Sequence, residues 1–219
     1  MPRESMGIKV HGNLMKQESI LTDYIRPLYP LFILIAIFWV LEGLDLTILR
    51  FLQLDNYGIH PREFSSLQNI FFAPLLHAGF QHVAANSVPF LVLGAFIMWR
   101  SQREFWLVTL WVAIIAGLGT WLIGGANSVH IGASGLVFGY FGFLLLLGWF
   151  ERSPTSILRA VMIAFLYGGL IWGVLPGEQG ISWQGHLFGF VGGVLSAYWL
   201  ARIKKDSFDD TFSDKIRIG

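Results

Sequence analysis

The chain has 219 residues, 54% of them hydrophobic and only 13% charged, with a formal net charge of +1; an ordinary soluble domain carries about a quarter charged residues. This balance excludes a soluble globular domain and offers no electrostatic reason to bind nucleic acid. With no cysteine, neither a disulfide framework nor a thiolate metal site is available.

Hydropathy predicts six spans, at residues 30–49, 83–99, 104–124, 134–151, 155–176 and 183–201, each near the ~20 residues that a bilayer core requires. A single all-α membrane domain over residues 30–201 follows, with a cytoplasmic segment at 1–29 and a cytoplasmic tail at 202–219. Residues 1–26 are mixed and polar, unlike a removable signal peptide, and Ile8, Val10 and Leu14 make them a weak candidate for an interfacial amphipathic segment. The first span follows Pro27 and Pro30. Near its far end, Glu42 and Asp45 are expected at the interface or bonded to the next loop.

That loop, residues 50–82, contains "LQNIFFAPLLHAGFQH". It is too apolar for a disordered linker, and a long loop in a compact protein is usually functional or disordered. A structured, partly inserted loop is expected. The remaining connections are short: Gly124 to Asn127 in the third, "LPGEQGISWQG" in the fifth. Residues 206–219 read as a polar tail without fixed structure. Trp99, Trp106, Trp149, Trp183 and Trp199 fall near span ends, as interface anchors do. Thirteen of the fifteen Lys and Arg lie on one side of this topology and only Arg50 and Arg62 on the other, which places both termini in the cytoplasm.

Three polar clusters lie at or inside spans, where burial is costly and a reason for it is required. Ser134 sits in Gly132-Ala133-Ser134-Gly135 at the mouth of the fourth span. Taken alone, that run reads as helix packing. His186 lies in the sixth span beside Gly185, Gly189 and Gly193, which recur every fourth residue and bare one helix face; Gly135 and Gly139 bare a matching face on the fourth. If the two stripes pack together, Ser134 and His186 approach within hydrogen-bonding distance, and a histidine is the base that suits a serine nucleophile near neutrality. His82 and Asn86, at i and i+4 in the second span, are side-chain donors suited to an oxyanion. The backbone amide of Ser134, at a helix start, is another.

The combination "HAGFQHVAANSVPFLVLG", "GASGLVFGYFG" and "GHLFGFVGG" resembles the rhomboid family of intramembrane serine proteases over residues 30–201. The resemblance implies a six-helix bundle that cleaves transmembrane protein substrates near the outer leaflet, with no metal and no cofactor. By position it implies Ser134 as nucleophile, His186 as general base, and His82, Asn86 and the Ser134 amide as oxyanion donors. Gly132 matches the small residue two before the nucleophile and is grouped with Gly135, Gly139, Gly189 and Gly193 as packing positions. Phe138 stands where many members carry a tyrosine over the catalytic histidine, Gly185 stands where alanine is common, and no "WR" pair is evident in the first loop. The short tails and compact loops favour a bacterial inner membrane. The alternatives are a catalytically inactive rhomboid-like binding or escort protein and a small transporter. Among the other histidines, His77, His130, His60 and His11 compete for attention. A zinc site from His77, His82 and His186 lacks an HExxH to support it.

Overall fold

A computed structural model describes residues 22–177 and 180–218, with side chains through residue 206. The expected amphipathic segment thus lies almost wholly outside the described residues. Among the described residues six helical spans are long and apolar enough to cross a membrane, built on α1 (Tyr29–Leu46), α2 (Phe80–Arg100), α3 (Gln102–Ile123), α4 (Ser134–Glu151), α5 (Pro154–Tyr167, with the 3-10 segment that carries its span to Val174) and α6 (Trp183–Ile218). No strand occurs among the described residues, so the all-α six-span bundle expected from hydropathy is the fold.

Three boundaries differ from expectation. Helix begins earlier than residue 30, since a 3-10 turn at Arg26–Leu28 leads into α1 and the first span runs Thr22–Leu46. Pro27 and Pro30 do not delay it, because both occupy first-turn positions where no backbone N–H is needed. At the other end α6 continues to Ile218, where an unstructured tail was expected. Between Gly193 and Gly219 there is neither glycine nor proline to stop it. Third, α5 tightens into a 3-10 segment at Gly168–Val174 before its connection to α6.

The centre of the bundle is α4. Its Tyr140, Phe141, Phe143, Leu144 and Leu147 are buried against Phe90 of α2 and Phe105 and Val108 of α3. Its approach to α6 is as close as the glycine stripes suggest. A Cβ on Gly189 would meet the backbone of Gly135, and one on Gly193 would meet Gly139 and Phe143, while the bare side of Gly139 admits Val112 of α3. By contrast α5 is peripheral, with Phe165 and Trp172 largely exposed.

The loop between α1 and α2 is structured, as expected. It winds through 3-10 turns at Arg50–Leu52, Leu54–Tyr57, Phe64–Phe71 and Ala73–Leu75. Both carboxylates of α1 bond to it: Glu42 accepts from Gly79 N at 2.7 Å and Asp45 from Leu54 N at 2.8 Å. Arg62 donates to the carbonyls of Leu122 and Gly124 at the end of α3, where a cation offsets the helix dipole. Its Phe51, Phe64, Phe71 and Phe72 remain exposed.

Candidate active site

The turn before α4 is built for close approach. Gly132 has φ of +109°, a conformation that glycine tolerates and L side chains rarely adopt. Its N–H donates to Ala73 O at 2.8 Å, and the next amide, of Ala133, donates to His77 Nε2 at 3.4 Å. Helical bonding begins with Val137 N to Ala133 O, so the Ser134 amide is among the first-turn donors that have no partner within the helix.

His186 sits in the first turn of α6. Ser182 caps that turn, accepting from Gly185 N on its hydroxyl and from His186 N on its carbonyl. The His186 Nε2 lies 2.9 Å from Ser134 Oγ, and its Nδ1 lies 2.9 Å from the carbonyl of Gly173. A carbonyl only accepts, so Nδ1 carries the ring proton and the Nε2 lone pair faces the serine O–H. Phe138 stacks flat on the imidazole, with centroids 4.0 Å apart and an interplanar angle of 6°. It keeps the stacked ring that a tyrosine would supply there.

His82 and Asn86 lie one turn apart on α2 and converge on Gly132. A Cβ on Gly132 would come within 2.6 Å of His82 Cε1, 2.7 Å of its Nε2 and 3.7 Å of Asn86 Nδ2. Gly132 therefore faces these two side chains from a turn and does not pack helix on helix, as its grouping with the other four glycines assumed. His82 Nδ1 accepts from Ala78 N at 3.3 Å, which puts the ring proton on Nε2. The Asn86 Nδ2 is buried and has no hydrogen-bond partner, an exception that calls for a cause, since buried amides are nearly always satisfied. Beside them His77 packs against Phe38 and His82. Burial first, then the neighbouring His82, pushes its pKa down to about 4, against the Leu75 carbonyl, which favours the charged form.

A cavity of about 40 Å³ reaches Ser134 between α3, α4, α6 and the first loop, lined in part by Gly132, His130, Ser182, Gly185 and Thr120. That exceeds the roughly 10–15 Å³ a water molecule needs. The constellation as a whole can take the Ser134 proton onto a fixed nitrogen and offers N–H donors around one glycine. Ser134 and His186 come together from α4 and α6, and His82 and Asn86 join them from α2. Two partners were missed in the sequence, the Gly173 carbonyl and Ser182. The signals available were a glycine among the bulky residues of "LIWGVLPG" and a serine placed to cap α6. Gly173 needs to be small, because a Cβ there would meet the Phe138 ring at 2.6 Å.

A multi-span helical bundle that holds a hydrogen-bonded serine and histidine at one end defines a class, the polytopic membrane proteins with a serine–histidine pair. The family model of the Rhomboid domain matches residues 65–203. The chain is 42% identical over 175 residues to an uncharacterized protein of Mycobacterium tuberculosis, covering 76% of this chain and 72% of that one. It is 46% identical over 157 residues to an uncharacterized Mycobacterium leprae protein, covering 68% and 62%. Over 134 residues, 60% of this chain and 66% of the relative, it is 34% identical to YdcA of Bacillus subtilis, whose name assigns it provisionally to the rhomboid proteases. The chain belongs to the rhomboid family of multi-pass membrane proteins, which are typically intramembrane serine proteases acting on transmembrane substrates.

Proposed function

We propose that this chain is an active intramembrane serine endopeptidase using Ser134 and His186. The observation that carries the reading is the 2.9 Å contact between Ser134 Oγ and a His186 nitrogen left unprotonated by the bond from Nδ1 to Gly173. Ser134 attacks the scissile carbonyl carbon while His186 Nε2 takes its proton. The oxyanion that forms is met by the Ser134 amide, by Asn86 Nδ2 and by His82 Nε2–H. An unpartnered buried amide in the free enzyme is what a donor reserved for a transient charge looks like. His186 then protonates the leaving amine, and water entering through the cavity beside Ser134 releases the acyl group with His186 again as base. Among the described residues no carboxylate orients the imidazole; the Gly173 carbonyl and the face of Phe138 support its transient positive charge.

The substrate is the end of a transmembrane helix that has unwound, because a helix with its amides bonded does not present a carbonyl to a nucleophile. The Lys and Arg distribution supports an orientation with both termini cytoplasmic and the Ser134 end facing away from the cytoplasm, and the short tails and compact loops support a bacterial inner membrane. The inactive binding or escort protein is the alternative, and the aligned serine and histidine favour the enzyme over it. Purified protein in detergent should cleave a model transmembrane substrate, and Ser134→Ala and His186→Ala should each lower turnover by at least about a thousandfold. Equal cleavage by all three proteins, or no labelling of Ser134 by a serine-directed phosphonate in folded protein, would refute the proposal.

A further inference from the structure

His130 has no role in the chemistry above, yet three connections meet on it. Its backbone forms a two-way bridge with Ile59 of the first loop, N–H to carbonyl in both directions at 2.9 and 3.0 Å. Its ring lies between two hydroxyls, with Ser128 Oγ at 2.8 Å from Nε2 and Ser182 Oγ at 2.7 Å from Nδ1. Ser128 belongs to its own connection, and Ser182 is the residue that caps α6.

The proton positions follow from what each partner can do. Ser128 Oγ also lies 2.7 Å from the Gly125 carbonyl, which only accepts, so the Ser128 hydrogen goes there and its oxygen accepts from His130 Nε2–H. That leaves Nδ1 as an acceptor. Ser182 Oγ already accepts from Gly185 N, so it gives its hydrogen to His130 Nδ1. Every donor then has one acceptor, with a neutral ring. Burial first, and His60 next, hold the His130 pKa below its ordinary value and favour that neutral form.

The geometry ties the two halves of the proposed dyad by a second route. His130 is four residues before Ser134, and Ser182 holds the His186 amide on its own carbonyl at 3.1 Å. Open space surrounds Gly180, two residues before Ser182, and the α5 helix that precedes this connection is exposed and peripheral. We infer that His130 is a positioning residue for the peptidase reaction proposed above: through Ser182 it anchors the first turn of α6, and with it His186, to the turn that carries Ser134. The inference rests on that reading of the site.

The test compares His130→Ala, His130→Asn, His130→Gln and Ser182→Ala by amide hydrogen exchange at Gly185 and His186 and by turnover of a model transmembrane substrate. Asparagine can place an oxygen near the Nδ1 position, whereas glutamine reaches toward Ser128. The alanine variants and His130→Gln should exchange about tenfold faster at these two amides, the size of one lost hydrogen bond, and lose about ten- to a hundredfold in kcat with KM little changed. His130→Asn should restore both, and His130→Ala with Ser182→Ala should be no worse than either alone. Wild-type exchange in the alanine variants, rescue by glutamine equal to that by asparagine, or additive losses would overturn the inference. Should wild type cleave nothing while exchange responds as expected, the peptidase reading fails and the anchor stands. If wild type cleaves and His130→Ala matches it, the anchor fails and the peptidase reading stands.

Discussion

The two ends of this bundle handle buried polar groups in opposite ways. At the end away from Ser134, Arg100 of α2 bonds Glu104 of α3 and Glu151 of α4, while Ser156 of α5 and Lys204 of α6 complete the shell of Glu151. Five helices meet there in one ionic cluster, and the Glu151 side chain is only 5% exposed. At the Ser134 end the buried and half-buried polar groups are mainly imidazoles and amides, His77, His82, His130, His186 and Asn86, beside the buried carboxylate of Glu42, which accepts from Gly79 N. Two atoms in this set, Asn86 Nδ2 and His77 Nδ1, have no hydrogen-bond partner. The difference is between a polar network that is saturated to hold helices together and one left with spare donors to meet a charge that exists only during reaction.

The widest separation between the two ends should come from Arg100→Ala. It leaves Glu151 buried without its main partner, a loss of about 3–5 kcal/mol, so thermal unfolding in mild detergent should shift strongly downward. Turnover per folded molecule should hardly change. If the variant is as stable as wild type but poorly active, the ionic end is not merely structural and the contrast breaks.

Acid should strike the other end. His77 titrates near pH 4 in the folded protein against an ordinary value of 6.5, so between those values the unfolded chain binds the extra proton. Stability is therefore full above about pH 6.5 and falls as pH drops toward 4, by about 3 kcal/mol from this group. Unfolding midpoints measured from pH 7 to 4.5 should decline less steeply in His77→Phe, which keeps a ring and cannot charge. An identical slope in the variant would mean that His77 is not the group responsible.

Asn86→Ala sharpens the comparison by sign. Turnover should fall ten- to a thousandfold, while stability should stay level or rise by up to about 1 kcal/mol, because the deleted amide is unsatisfied in the folded state. A variant that loses stability and keeps its turnover would make Asn86 a packing residue. The smallest effect belongs to Phe138→Leu. Removing the ring stacked on His186 should slow turnover about two- to tenfold, the worth of one aromatic contact, as read from kcat with the labelling rate of Ser134 as a check.

Much of this architecture was legible because it depends on one-dimensional patterns. Six apolar runs near bilayer length announce six spans, and glycines at every fourth position announce a close pairing of α4 with α6. Ser134, His186, His82 and Asn86 stood out because polar residues are rare in such runs. The errors have physical causes as well. Hydropathy fades where charge begins, which hid the helix that continues past Asp206, and Gly132 looked like its neighbours although it faces side chains from a turn.

By itself the sequence determined the span count and which residue types had no ordinary reason to be in a membrane. Only the tertiary structure decided who answers whom. The Gly173 carbonyl fixes the His186 tautomer from the 3-10 segment after α5, Ser182 and His130 link two connections, and Arg100, Glu104, Glu151, Ser156 and Lys204 gather from five helices. Those partnerships depend on the depth and rotation of each helix against its neighbours. Packing sets both, and a hydropathy profile carries neither.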